Sequence, residues 1–495
     1  MPRTEALESV ALVTKVLAVV KRNPQYRLNC HRIVIALVAI VLAIMLLDWR
    51  LAVADDNQQD ELIKMVADLI SGEDKDFRAV GFESVRSGAK SAEATRHFAA
   101  LLPKLSPESQ IGLLSALADR GDREARPALI TLISMTQNEA IREAILRAFG
   151  TLGEAADVPV LVKSLSASQR ERTASHISLK QLQGTEIANA ILAVLPTCSA
   201  ELQSDLLEIL ADRRETTTMP VMIQAAVNKD AIVRTAAMRA LSKIAGPEQV
   251  AGMVCGVLRA ETGRERDEAE RAIVSACLRN PDVTAQAAPL IQAMQGLAAA
   301  DAAVIVGTLG RVGGPDSLQI VETWIKDSDA GKQQSGLRAL CNWPNASIVP
   351  RLLELFQQAD LPATRAMLLA ALIRVAPLPD ERPNQERLAL LEKTLLLCQE
   401  NDDRNRVIER ARAIRTIETL RFLLPFVENP VTSEKACGSI VELAHHRDLR
   451  EPNKLEFDKA LDIVLATSKN AESLERAKRY KIGQTWERPK VTSKQ

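Results

Sequence analysis

The same helical sequence pattern recurs along this chain, and this repetition constrains the fold more than any other feature. Residues 138–152 read NEAIREAILRAFGTL, and residues 228–244 read NKDAIVRTAAMRALSKI. When Arg142 is aligned with Arg234, the pattern returns in twelve registers, which begin at Arg78, Gln110, Arg142, Arg172, Gln203, Arg234, Arg271, Ala302, Gln333, Arg365, Val407 and Ser433. The first six are spaced by about 31 residues, which indicates stacked supersecondary units. Later intervals lengthen where ETGRER and PLPDERPNQE are inserted.

The residue four positions before each register predicts where a helix begins. In ten of the twelve copies it is a residue type that caps helix N-termini, because its side-chain oxygen accepts from free backbone amides. These predicted caps are Asp74, Ser106, Asn138, Ser168, Ser199, Asp230, Asp267, Asp329, Asp403 and Asn429. Proline follows Ser106 and Asn429, in the position that best suits proline in a helix.

Two further columns of the alignment predict how the helices pack. The residue seven positions after each register is apolar in all twelve copies, from Val85 in the first to Ile440 in the last. The residue before it is small in eleven copies, which lets neighbouring helices approach closely. Apolar segments such as RPALITLISM (126–135) and MPVMIQAAV (219–227) predict a first helix in each unit. Because one helical pair cannot bury its apolar face alone, the pairs must stack.

The composition agrees with a helical protein. Aromatic residues make up 3% of the chain and hydrophobic residues 47%, a balance that favours helices over sandwiches or barrels. We therefore predict an all-α fold, an α-solenoid of about twelve helical hairpins.

The segment from Asp230 to Leu241, which reads DAIVRTAAMRAL, resembles the HEAT repeat. The short period is similar to the HEAT-like repeats of phycobilisome lyases, and the resemblance covers roughly residues 58–470. It implies a solenoid that binds partners, since most such solenoids do so and few are enzymes. The ending AKRYKIGQTW is similar to the close of exported bacterial proteins with such repeats, some of which carry a sugar-processing or haem domain. No C-x-x-C-H motif for haem attachment occurs.

The N-terminal segment predicts export. An uncharged apolar run extends from Ile33 to Leu47 after several basic residues, and Ala52-Val53-Ala54 matches a signal-peptidase site. Cleavage there would leave Asp55 as the first residue, and the body of the chain in the periplasm or cell envelope. A retained membrane anchor and a buried cytoplasmic helix remain alternatives. The predicted organisation is a signal peptide or anchor at 1–54, a solenoid at 55–475 and a basic tail at 476–495.

Arginine is common at two positions of the repeat. At the register position, Arg or Gln is interpreted as a ladder that bonds caps and carbonyls of the adjacent repeat, with a basic binding stripe as the alternative. Five residues later, arginine recurs in four copies and predicts an exposed stripe that binds a partner, with a solvated face as the alternative. This stripe consists of Arg147, Arg239, Arg338 and Arg412.

No cofactor, metal site or catalytic residue is predicted. The seven cysteines show no C-x-x-C spacing, and Cys255, Cys277, Cys341, Cys398 and Cys437 are interpreted as buried thiols, with a Cys255–Cys277 bridge as the alternative. Glu442 and His445 share a helical face, but a half-site without partners favours a polar helix end. Ser87-Gly88-Ala89-Lys90 matches S-x-x-K without the companion motifs of penicillin-recognising enzymes.

These observations favour a non-enzymatic protein-binding scaffold of the cell envelope, which presents an extended concave helical surface to its partner. Acidic and basic residues number 63 each, so no net charge draws the chain to nucleic acid, and the membrane is reached only through the N-terminal segment. An accessory subunit of an exported sugar- or haem-enzyme system is one alternative. A HEAT-like lyase or a nucleic-acid-binding protein is another, and both predict a cytoplasmic chain. The identity of the protein partner and the oligomeric state stay open.

Overall fold

The computed structural model describes residues 56–88 and 91–486, and side chains from residue 61 onward. The predicted cleavage residues Ala52, Ala54 and Asp55, the apolar run 33–47 and Cys30 lie outside the described residues. In the described part, α-helices and short 3₁₀ turns are the only regular elements. No helix there is both long and apolar enough to cross a membrane.

The chain divides into two compact units, Met1–Ala240 and Leu241–Gln495. In the first unit the described helices are α1 Asp56–Ser71, α2 Lys75–Ser87, α3 Ala92–Ala99, α4 Pro107–Arg120, α5 Arg126–Met135, α6 Glu139–Leu152, α7 Val158–Ser164, α8 Gln169–Gln181, α9 Glu186–Val194, α10 Ala200–Asp212 and α11 Met219–Ala225. Helix α12, Ala231–Ile244, contains the division between the units.

The second unit contains the remaining described helices, and its last helix includes the first six residues of the predicted tail at 476–495. They are α13 Val250–Arg259, α14 Arg264–Leu278, α15 Ala288–Met294, α16 Ala299–Val312, α17 Pro315–Ile325, α18 Ala330–Cys341, α19 Val349–Gln358, α20 Pro362–Val375, α21 Asn384–Leu397, α22 Asn401–Ala411, α23 Ile417–Leu423, α24 Ser433–His445, α25 Arg447–Arg450, α26 Lys454–Thr467 and α27 Ala471–Lys481. The even-numbered helices from α2 to α24 are the twelve second helices of the repeats.

Most second helices begin where the predicted caps place them. Seven predicted caps accept backbone amides of the helix that follows, namely Asp74, Ser106, Asn138, Ser168, Ser199, Asp230 and Asp329. The prediction is wrong for Asp267 and Asp403, which lie in the first turns of α14 and α22, where a carboxylate interacts favourably with the helix dipole without capping. It is also wrong for Asn429, because α24 begins later, at Ser433.

The predicted core column is buried in eleven of its twelve positions. The exception is Leu278, which is 49% exposed, while Cys277 beside it is fully buried. Helix α14 begins at Arg264, inside the inserted segment ETGRER, and its buried face falls one residue before the aligned column. The expectation that Leu278 is a core residue is therefore wrong, and Cys277 occupies the core in its place.

Consecutive second helices pack directly on one another, from α2 to α10 in the first unit and from α14 to α24 in the second. Small residues permit this approach. A Cβ atom added to Gly310 on α16 would lie 2.2 Å from the carbonyl oxygen of Ala339 on α18. Ser178 on α8 is fully buried, and its hydroxyl donates to the Leu146 carbonyl of α6 at 2.7 Å. Each unit is thus a stack of helical hairpins, and the all-α solenoid prediction is confirmed.

Candidate functional site

The side chain at the register position joins the two helices of a hairpin. Arg234 donates to the carbonyl of Lys229 at 2.9 Å, and Gln333 donates to that of Asp327 at 2.7 Å. These carbonyls lie in the turn after the first helix, where no helical amide is available to them. The same kind of contact is made by Arg78, Gln110, Arg142, Gln203 and Arg365. The register side chains therefore bond backbone carbonyls, as the ladder interpretation predicts. The prediction that these carbonyls belong to the adjacent repeat is wrong, because they belong to the same hairpin as the donor.

Carboxylates connect this ladder to the next repeat. Arg142 pairs with Glu171 of the following second helix at 3.0 Å, and Arg172 pairs with Asp205 at 2.6 Å. In two repeats the residue at the register position does not make this carbonyl contact, because Arg271 is exposed and Val407 is a buried apolar residue. The carbonyl contacts are made there by Arg266 and Arg404.

A second set of arginines, which the alignment did not identify, joins successive second helices. Arg213 at the end of α10 donates to the carbonyl of Leu182, at the end of α8, at 2.7 Å. Arg374 does the same to Trp343 at 2.7 Å, and burial lowers the pKa of its guanidinium. Equivalent contacts are made by Arg120, Arg279 and Arg410. A basic residue at the end of the second helix, about eight to ten residues after the register in every case except Arg410, was the available signal.

The predicted stripe residues of the first unit are exposed but are not neighbours. Arg147 on α6 pairs with Glu143 of its own helix at 2.9 Å, and Arg239 lies exposed on α12. Helices α8 and α10 come between them in the repeat order and carry Ile177 and Glu208 at the corresponding position. Basic side chains therefore do not follow one another from repeat to repeat in this unit.

The two stripe residues of the second unit are separated by one second helix. Arg338 is exposed on α18 and forms no ion pair or side-chain hydrogen bond within the described residues. Arg412 follows the last residue of α22 and pairs with Glu409 at 3.3 Å. Ala370 of α20 holds the intervening position and is exposed.

Glu442 and His445 belong to an end cap. Glu442 accepts from Arg476 at 2.7 Å, and although burial opposes it, this guanidinium holds the pKa of Glu442 below its usual value. The His445 Nδ1 atom is 2.9 Å from the hydroxyl of the buried Tyr480. Arg476 also stacks over the Trp486 ring at 5.0 Å. Within the described part of the chain, no group of three or more His, Cys, Asp or Glu residues is arranged to hold a metal ion.

The six described cysteines are free thiols, so the Cys255–Cys277 bridge is wrong. Cys277, Cys341, Cys398 and Cys437 are buried as predicted, and burial raises the pKa to about 12 for the first two and about 11 for the others. Cys255 is exposed on α13, contrary to its prediction as a buried thiol, because its side chain lies on the outer face of the first helix.

Thiol labelling is expected to distinguish these positions. At pH 8, iodoacetamide should modify Cys255 in the folded protein, because thiolate formation and access are both required and the four buried thiols provide neither. Peptide mass spectrometry, with and without denaturant, measures the extent of labelling at each site. Cys255→Ser is the control. Native-state labelling of Cys341 or Cys437 at the rate of Cys255 would contradict the packing described above.

Comparison with known proteins supports a repeat architecture. Residues 95–180 match the family model for HEAT repeats. The segment from α3 to α8 is therefore similar to HEAT repeats. No curated protein matches the sequence significantly.

Solved structures with a similar chain path include the karyopherin Kap121p bound to the SUMO protease Ulp1p, which matches at 14% identity and a TM-score of 0.46. That match covers 89% of this chain and 55% of the karyopherin, so the chain spans about half the length of that relative. Importin beta matches at 14% identity and a TM-score of 0.32, covering 85% of this chain and 64% of importin. An engineered protein matches at 16% identity and a TM-score of 0.28, covering 85% and 98%. At these TM-scores the neighbours carry no argument about activity.

Proposed function

We propose that this protein is a non-enzymatic scaffold of the cell envelope, which binds a protein partner along the outward faces of its second helices. The repeat architecture supports this proposal, because stacked hairpins present one helix face per repeat over an extended length. Seven of the register-position side chains donate to backbone carbonyls of their own hairpin. The arginine stripe five residues later remains available to a partner.

The observation that carries the proposal is the state of Arg338. Its guanidinium is exposed and has no ion pair within the described residues, whereas Arg147 and Arg412 pair with glutamates of their own helices. Arginine is enriched where protein interfaces derive most of their binding energy, since its planar donors match carboxylates. A partner that presents an acidic group to α18 fits this position.

The test is a comparison of partners recovered with the full chain and with Arg338→Glu. The proposal predicts that a protein co-purifying at a fixed ratio with the wild-type chain is reduced about tenfold or more by the charge reversal. Arg264→Glu is the matched control, because the Arg264 side chain is 89% exposed and its ion pair lies within one helix. Equal recovery by wild type and Arg338→Glu would contradict a role for the arginine stripe.

Localisation is tested by cell fractionation with N-terminal sequencing of the native protein. The proposal predicts an envelope protein that begins at Asp55, and an uncut chain in the inner membrane would be the same scaffold with a retained anchor. An uncut, soluble cytoplasmic chain would contradict the envelope assignment. If the recovered partner is a sugar- or haem-processing enzyme, the scaffold has the narrower role of an accessory subunit.

A further inference from the structure

Three large aliphatic side chains are exposed near the turn between the two helices of consecutive repeats in the second unit. They are Leu361 at 68%, Leu396 at 85% and Val431 at 50% exposure, and each is 35 residues after the one before. Leu361 lies directly before α20 and Val431 two residues before α24, whereas Leu396 lies in the last turn of the first helix α21. We name the segments 357–363, 396–403 and 428–434 the turn edge.

The stacking of the second helices places these three segments side by side. Helices α20, α22 and α24 pack against one another in this order, and the turn edge precedes or contains the first residues of each. Packed helices lie about 8–10 Å apart, so the three aliphatic side chains extend over roughly 20 Å. Apolar side chains in a row on a soluble surface mark an interaction site more often than single ones do.

The charge of the turn edge has one sign. Its three segments contain six acidic residues and no lysine or arginine. Asp403 pairs with Arg406, and Glu434 accepts from the hydroxyl of Ser468. The other four acidic residues form no ion pair within the described part of the chain, and they are Asp360, Glu400, Asp402 and Glu428.

The helix dipole explains only part of this charge, since Asp402, Asp403 and Glu434 lie in first turns and the other three acidic residues do not. A carboxylate inside the first turn, such as Asp402, interacts favourably with the helix dipole. Asp360 precedes α20 by two residues and Glu428 precedes α24 by five, so neither lies in a first turn.

The basic residues that border the three segments do not pair with these carboxylates. Arg365 donates to the carbonyls of Phe356 and Ala359 and stacks on the Phe356 ring. Arg404 donates to the Cys398 carbonyl, and Lys435 pairs with Glu409.

We propose that the turn edge binds a cationic amphipathic helix of a protein partner. An α-helix rises about 1.5 Å per residue, so apolar residues repeated every seven positions are about 10 Å apart, which is close to the spacing of the packed second helices. Lysines or arginines beside that apolar row meet the acidic residues between the repeats. This surface is separate from the arginine stripe, and the failure of either assignment leaves the other intact.

A designed peptide tests the proposal directly. The probe is a fluorescent helical peptide of about 16 residues, with leucine at every seventh position and lysines on both sides of that row. Fluorescence anisotropy with the full chain is expected to show saturable binding that weakens as salt is raised, because the acidic residues contribute. A peptide with glutamate in place of lysine, and one with serine in place of leucine, are expected not to bind. Absence of binding by the lysine peptide would overturn the proposal.

The matched protein variant is Leu361→Ser/Leu396→Ser/Val431→Ser. All three residues are exposed, and serine at 361 precedes α20 as a favourable N-cap, so the fold is preserved. Binding is expected to weaken about tenfold or more, since each buried aliphatic anchor contributes about one power of ten. Val283→Ser, at a residue 72% exposed outside the turn edge, is the control and should leave binding unchanged. Equal binding by wild type and triple variant would overturn the proposal.

Two other occupants are distinguished by the same variant. Sedimentation of the wild-type chain as a dimer, with the triple variant monomeric, would assign the turn edge to a second copy and overturn the proposal. Binding to neutral phosphatidylcholine vesicles that is lost in the triple variant would assign it to lipid, with the same consequence. Asp360→Asn/Glu428→Gln is expected to weaken peptide binding and to reduce its salt dependence, an effect that neutral lipid would not show.

Discussion

Gly310→Ala is expected to destabilise the protein by about 3 kcal/mol, because it overpacks a contact between two backbones. The added Cβ atom would lie 2.2 Å from the Ala339 carbonyl oxygen and 2.6 Å from its carbon. A side chain could rotate away, but a helix backbone within the stack cannot move without displacing α18. The higher helix propensity of alanine, about 1 kcal/mol, offsets only part of this cost.

Gly307→Ala is the matched control, since it lies one turn earlier in α16 and an added Cβ atom there has no neighbour within 4 Å. It should stabilise the helix by up to about 1 kcal/mol. Urea unfolding followed by circular dichroism measures both variants through the shift of the transition midpoint. Midpoint shifts of the same sign and size in the two variants would contradict the close approach of α16 and α18.

Leu372→Ala is expected to cost about 3 kcal/mol, whereas Leu278→Ala should change stability by less than about 0.5 kcal/mol. Both leucines occupy the same column of the sequence alignment. In the structure Leu372 is fully buried, whereas Leu278 is 49% exposed. Truncation at Leu372 removes apolar contacts and leaves a cavity, while truncation at Leu278 removes a side chain that solvent already reaches.

The pair of variants tests the shifted register of α14. Thermal and urea unfolding of both proteins give the difference in stability. Cys277→Ser is a third variant for the same unfolding measurements. It should lower the stability, because a hydroxyl would replace a thiol that is fully buried in the core. A Leu278→Ala variant as unstable as Leu372→Ala would show that the aligned column, and not the structure, describes the core of this repeat.

The repeats themselves were predictable because their signals are local. A capping side chain such as Asp230 acts on amides two or three residues away, and the apolar column depends on the period of a single helix. Where a segment was inserted, these signals became misleading. Asp267 has the residue type of a cap, yet α14 begins three residues earlier and the core moves to Cys277.

The candidate sites depended on contacts that no local pattern specifies. The inward role of Arg234 was predicted, but the set that includes Arg213 and Arg374 was not, because its acceptors are carbonyls about 31 residues earlier in the chain. The exposed positions of Arg147 and Arg338 agree with the sequence pattern. Their separation by helices that carry Ile177, Glu208 and Ala370 became evident only with the packing in view.

By itself, the sequence determined that this protein is a stack of helical hairpins. Helical pairs that repeat about every 31 residues, each with one apolar column, can bury their apolar faces only against neighbouring pairs. Only the tertiary structure decided which side chains face the neighbouring repeat and which face solvent. Leu361, Leu396 and Val431 resemble core residues in a sequence, yet all three are exposed. Leu361 and Val431 lie between helices and Leu396 lies in the last turn of α21, where no neighbouring helix covers them. Burial is a property of the packed neighbours, and those neighbours are distant in the chain.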